Sequence, residues 1–176
     1  MKHRLLFLCT FILAGLYSAA QPVDASAAML DVDRVAAENA RLAAKRGDAV
    51  AAEQFLISTN RAQPNSSWWH IETSQRLIQL AYDVPREGRS TAILSLVTSA
   101  LQHLSTADSM TTDRRHKASI KALIGRIQER YLGDHAAALA TFQAASELAP
   151  ENPQVRQEQG RLQRMADRTA SRAARR

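Results

Sequence analysis

The stretch GDHAAALATFQAASELAPENP, residues Gly133 to Pro153, decides the fold. It opens with Gly133, a residue that readily takes the left-handed conformation that ends a helix, and Asp134 then stands where it can cap a new one. His135 to Leu148 is rich in Ala and straight-chain residues and holds neither Gly nor Pro, which predicts a helix. Pro150 closes the unit. Asn152 is placed to cap a further helix, with Pro153 at the first-turn position where its missing N–H costs little. Upstream, a helix is expected to end near Leu132.

The same order occurs near the start. Asp33 to Arg46 reads as a helix that stops at Gly47, Asp48 caps the next helix over Ala49 to Arg61, and Pro64 ends it. With an offset of 86 residues, Gly47 falls on Gly133, Asp48 on Asp134, Ala52 on Ala138, Leu56 on Phe142 and Pro64 on Pro150. Each type has a physical task. Gly makes the turn between antiparallel helices, Ala lets the helices approach, the large residue four positions later fills the space between them, and Pro stops the second helix. The chain as a whole has 6 Gly and 5 Pro in 176 residues, which favours helix over a strand-rich fold with many turns.

On these residues the sequence resembles the tetratricopeptide repeat family. Gly133 to Pro153 carries the second-helix pattern of that family, including Ala145 three residues after Phe142. The unit from Arg34 to Ser66 departs from it, since Thr59 stands at the Ala145 position. Ile124-Gly125 resembles the Leu-Gly pair of the first helix of a repeat but lies one residue too far from Gly133, which implies a slightly longer first helix there. Two repeats of about 34 residues leave roughly 18 extra in the middle. One enlarged hairpin accounts for them, with helices from about Ser67 to Tyr82 and from Ser90 to Leu104. A turn over 83–88 separates the two, and a polar loop is expected from Ser105 to Thr112. The resulting expectation is an all-α chain: a short right-handed α-solenoid of about three hairpins over 28–153, closed by a basic C-terminal capping helix and tail over 154–176.

Residues 1–27 read as a secretory signal. Lys2, His3 and Arg4 precede the apolar run Leu5 to Leu16, and small residues offer cuts after Ala20 or Ala27. Twelve apolar residues fall short of the roughly 20 that span a bilayer. Cleavage would remove Cys9, the one cysteine, and leave an exported chain, periplasmic or secreted.

The net charge of +6 is unevenly placed. Residues 28–151 hold 14 Lys plus Arg against 14 Asp plus Glu, whereas residues 152–176 hold 7 Arg against Glu158 and Asp167. A basic face able to grip nucleic acid is not what this distribution describes, and no nucleic-acid partner is expected. In the tail, Arg161, Arg164, Arg168, Arg172 and Arg175 recur at helical spacing within an arc of about 80°. Two readings stand: a solvated cap that seals the last repeat with Val155 and Leu162, or a stripe that docks on an anionic membrane or cell-wall polymer.

No sequence motif announces chemistry. The histidines His70, His103, His116 and His135 fall in four different segments with no metal-ligand spacing, and no nucleophile elbow or phosphate loop is present. No metal or cofactor is implied. An enzyme would need a polar cluster joining His70, His103 or His116 to an acid and a nucleophile. Trp68 and Trp69 are about 100° apart on a helix, so one can be core while the other lies at the edge. Either both pack between hairpins, or Trp68 stands on the inner surface as an anchor. The resemblance implies an inner surface lined by first-helix residues: Arg34, Arg41 and Lys45, then Trp68, Ile71, Gln75 and Ile78, then Arg126 and Arg130. That set has basic flanks around an apolar centre and suits a peptide carrying carboxylates. The carboxylate-clamp pattern of the family is not reproduced, since Ala37 stands where a Lys is expected. The sequence therefore points to a scaffold or assembly adaptor for a protein or peptide partner in a bacterial envelope, without catalysis.

Overall fold

The computed structural model of the chain describes residues 25–60, 63–84 and 90–173, and among them all regular structure is helical. The elements are α1 (Ala25–Lys45), α2 (Ala49–Ser58), α3 (Ser67–Asp83), α4 (Ser90–Met110), α5 (Arg114–Ile127), a π-helical segment (Gln128–Leu132), α6 (His135–Leu148) and α7 (Pro153–Ala173). The expected cut after Ala20, the Cys9 site, residues 85–88 of the expected turn and Arg175 lie outside the described residues. The alternative cut, after Ala27, falls in the first turn of α1. Among the described residues no helix is long and apolar enough to cross a membrane.

Internal contacts divide the chain between Val35 and Ala36. Of the first unit, 25–35 form the opening turns of α1, which carries Arg34. The second unit holds every residue of the two hydrophobic clusters.

The helix boundaries follow local chemistry. Asp48 accepts from the Ala51 amide, Ser66 from Trp69, Asp113 from His116 and Asp134 from Ala137, each supplying a partner to an N–H that the helix itself leaves unpaired. Asn152 accepts from Gln154 and Val155 at the start of α7. Gly47 and Gly133 have φ of 86° and 65°, the left-handed region that glycine enters without steric cost. At Gly47 the amide of Asp48 donates to Ala43 O, closing the usual Schellman turn. At Gly133 the amide of Asp134 reaches one residue further back, to Gln128 O. The π-helical segment is the reason: a wider turn absorbs one extra residue without breaking the helix.

The expected loop over Ser105 to Thr112 is a correction. Helix α4 continues to Met110 because Leu104 and Ala107 are buried, and the polar side chains find partners without leaving the helix. Thr106 Oγ1 donates to Gln102 O, Ser109 Oγ donates to Thr106 O, and Asp108 pairs with Lys121 of α5 at 3.0 Å. Polar composition alone does not make a loop when hydroxyls bond the preceding turn.

Packing joins α3 closely to α4, α5 to α6 and α6 to α7, with α2 resting on α3 and α4. The larger cluster combines Ala40 and Ala44 of α1, Ala52 and Leu56 of α2, Leu77 of α3, Leu96 and Leu104 of α4, and Ile120 and Ile127 of α5. The smaller one combines Ala122 with Ala138, Phe142, Ala145, Val155 and Leu162. Helix α5 thus serves both clusters, presenting branched residues to one side and small ones to the other. Gly125, Ala52, Ala138, Phe142 and Ala145 are fully or nearly fully buried, while Pro64 and Pro150 sit exposed in turns.

Candidate functional site

Helices α3 and α5 run in the same direction. Near their N-terminal ends the Trp68 and His116 rings stack with centroids 4.7 Å apart, and near their C-terminal ends the Tyr131 hydroxyl reaches Ile78 O at 3.5 Å. Between them lies an open groove of about 460 Å³. Its floor is apolar, from Ile78, Leu104, Leu123, Ile127 and the Tyr131 ring, and its rim carries Gln75, Gln79, Tyr82, Arg126 and Arg130. Tyr82 is 70% exposed, so an aromatic face stands unpaired at the mouth.

A second, more polar hollow of about 660 Å³ adjoins it and shares Arg126 and Arg130. The acids there are already engaged: Arg161 of α7 donates to both Glu129 and Glu158. This hydrogen bond holds the Glu129 carboxyl below its ordinary value despite partial burial, and the same pairing raises Arg161. Arg126 makes no hydrogen bond or ion pair among the described residues, so its positive charge is available at the junction of the two hollows.

The structure brings four of the residues expected on an inner surface to this groove: Gln75, Ile78, Arg126 and Arg130. Ile71 is buried in the larger cluster instead, since α3 is covered on both sides. Trp68 is 65% exposed but stands beyond the groove, one ring stacked on His116. Trp69 is half-buried with its edge toward His70 and His103. Arg41 pairs with Glu38 at 3.2 Å and approaches Asp83 at 3.8 Å, Lys45 is exposed at the end of α1, and Arg34 belongs to the first unit.

Of the arginine stripe, Arg161 is tied into the Glu129–Glu158 pairing, whereas Arg164, Arg168 and Arg172 are exposed on α7. Val155 and Leu162 seal the opposite side against α6.

One cluster was not visible in the sequence. His70 Nδ1 lies 2.8 Å from His103 Nδ1, His103 Nε2 lies 2.9 Å from Glu53 Oε1, and Ser99 Oγ donates to Glu53 Oε2 at 2.6 Å. The members come from α2, α3 and α4, up to 50 residues apart, and no spacing rule connects them. The order of the groups matters chemically. The serine bonds the carboxylate rather than an imidazole, so the cluster runs Ser–Glu–His–His and does not reproduce the Ser–His–acid order of a catalytic triad. Among the described residues no group of three or more His, Cys, Asp or Glu is arranged to hold a metal ion.

No protein-family model matches the chain, and none of the curated proteins does.

Proposed function

We propose that this chain is a non-enzymatic scaffold or assembly adaptor that binds a protein or peptide segment in the groove between α3 and α5. The observation that carries the reading is the groove itself: an apolar floor beside an uncommitted arginine, with an exposed tyrosine at its mouth. An apolar side chain flanked by a carboxylate fits that combination, the first filling the floor and the second meeting Arg126.

The architectural part of the proposal is a short right-handed solenoid of tetratricopeptide-like hairpins. It is supported by α3 and α5 running in one direction, by the left-handed turns at Gly47 and Gly133, and by Gly125 lying against the Phe142 ring. Helix α7 fits as the capping helix. The signal-like residues 1–27 support export to the periplasm or beyond as the setting in which the partner is met. The His70–His103–Glu53–Ser99 cluster is read as structural because its order of groups differs from the Ser–His–acid triad and it ties α2, α3 and α4 together.

A second reading, docking on an anionic membrane or cell-wall polymer through α7, is favoured by the exposure of Arg164, Arg168 and Arg172. Partner capture from a native envelope fraction separates the two. Ile78→Asp combined with Arg126→Ala should abolish recovery of the partner if the groove binds. Arg164→Gln, Arg168→Gln and Arg172→Gln together should leave it intact. The reverse pattern would transfer the function to the tail. These three arginines are exposed, so their replacement leaves Leu162 and the Arg161 pairing in place.

A further inference from the structure

The polar hollow beside the groove is organised by one guanidinium. Arg161 of α7 donates from Nε to Glu158 at 2.8 Å and from Nη2 to Glu129, and its Nη1 lies 3.6 Å from the Met165 sulfur. All three of its nitrogens are therefore engaged within the chain. Arg126 and Arg130 line the same hollow and also the groove, whereas Arg161 lines the hollow alone. Like Arg126, Arg130 makes no hydrogen bond or ion pair among the described residues.

That freedom is not what the local sequence favours. Glu129 stands three residues after Arg126, a spacing at which opposite charges on a helix pair, and Glu158 shares the hollow with both arginines. Arg161 wins the competition for these acids. We propose that Arg161 is a positioning residue for the groove: by holding Glu129 and Glu158 it keeps Arg126 and Arg130 free to meet two carboxylates carried by the partner segment beside its apolar side chain. The inference rests on the groove reading above, and adds to it the second acid and the residue that makes room for both.

The charges agree. His135 apart, the hollow holds Arg126, Arg130 and Arg161 against Glu129 and Glu158, a surplus of one positive charge. Without the Arg161 guanidinium, two acids would face two arginines and no charge would be left over for a ligand. The Arg161 hydrogen bond is the first cause that holds the Glu129 carboxyl below its ordinary value, ahead of the more distant His135 and Arg130. Arg126 and Arg130 border the apolar floor directly, so an acid next to a buried apolar side chain meets them and not Arg161.

The test is calorimetry on the full chain with two synthetic peptides, one with a leucine flanked by glutamates and a twin with glutamine in place of each glutamate. The parent should bind the acidic peptide more tightly than its twin. Arg161→Gln should weaken the acidic peptide by about tenfold, roughly the worth of one charge-assisted hydrogen bond, and leave the twin unchanged, which also reports an intact groove. On a Glu129→Gln, Glu158→Gln background there are no acids to hold, so Arg161→Gln should then have no effect on either peptide. An equal loss on both backgrounds would make Arg161 a direct contact and overturn the inference, as would unchanged affinity in Arg161→Gln; the groove would survive either result. If neither peptide binds the parent, the groove reading falls and the inference with it. Should Arg161→Gln not fold, Arg161→Lys keeps the charge but not the fork that spans two acids; a smaller loss for the acidic peptide alone is expected, and no loss would overturn the inference.

Discussion

Phe142 fills the space that Gly125 leaves empty: a Cβ added at Gly125 would stand 2.9 Å from Phe142 Cε2, closer than carbon atoms pack. The ring is fully buried and bounded by Ala138 and Ala145 on its own helix, so it has little room to retreat. Helices α5 and α6 therefore touch almost backbone to ring, and the small-against-large pairing between them is the joint of the C-terminal half.

Gly125→Ala should destabilise the chain despite improving helix propensity. Overpacking costs about 1–3 kcal/mol, and the propensity gain returns about 1 kcal/mol. A net loss of about 1 kcal/mol is expected in urea unfolding. Phe142→Leu on the Gly125→Ala background should cost less than Phe142→Leu alone, which a double-mutant cycle reads directly.

Asp134→Ala should cost about 1 kcal/mol through loss of the cap on α6, and Asp134→Asn should recover most of it. Asp48→Ala should cost a similar amount, since its side chain makes the same bond to Ala51. Thermal unfolding of the four chains, two alanine variants, the asparagine variant and the parent, measures both.

The Arg161–Glu129 contact gives a pH signature. The folded Glu129 carboxyl is held below its ordinary value, so its stabilisation is present above about pH 4.5 and is lost as the pH falls through the lowered folded value. Arg161 is 40% exposed, so solvent screening limits the effect to under about 1 kcal/mol. Arg161→Gln should reduce stability at neutral pH and flatten the acid limb of the stability profile between pH 5 and 3. An unchanged acid limb would show that the pair contributes nothing.

Much of this was legible in the chain because its punctuation is local. Gly47-Asp48, Gly133-Asp134 and Asn152-Pro153 each state a stop and a start within two residues, and the structure places caps at all three. The burial of Ala138, Phe142 and Ala145 follows from one helical period. Two things were not local. The continuation of α4 through Ser105 to Met110 depends on hydroxyls folding back onto their own helix and on Lys121 from α5 meeting Asp108. The pairing of His70 with His103 depends on how α3 lies on α4, which no spacing within either helix encodes. The groove stands between these cases. Gln75, Ile78, Arg126 and Arg130 belong to the set that the repeat resemblance implied for an inner surface, whereas Tyr82, Leu123 and Tyr131 needed the actual side-by-side placement of α3 and α5.

Trp68 and Trp69 should separate cleanly by fluorescence. Trp68 is largely exposed, so Trp68→Ala should change stability by about 0.5 kcal/mol or less and remove the red-shifted part of the emission. Trp69→Phe should leave that part and abolish any acid-dependent change in intensity, because Trp69 is the ring beside the two imidazoles.

The claim on which the functional account rests is that the α3–α5 groove is where a partner binds. A photo-reactive residue in place of Gln75, exposed on the groove rim, and another in place of Arg168, exposed on α7, test it in the native cell. The account predicts a discrete protein adduct from position 75, lost when Ile78→Asp is added, and none from position 168. Adducts from position 168 alone, or adducts from position 75 that persist with Ile78→Asp, would contradict it.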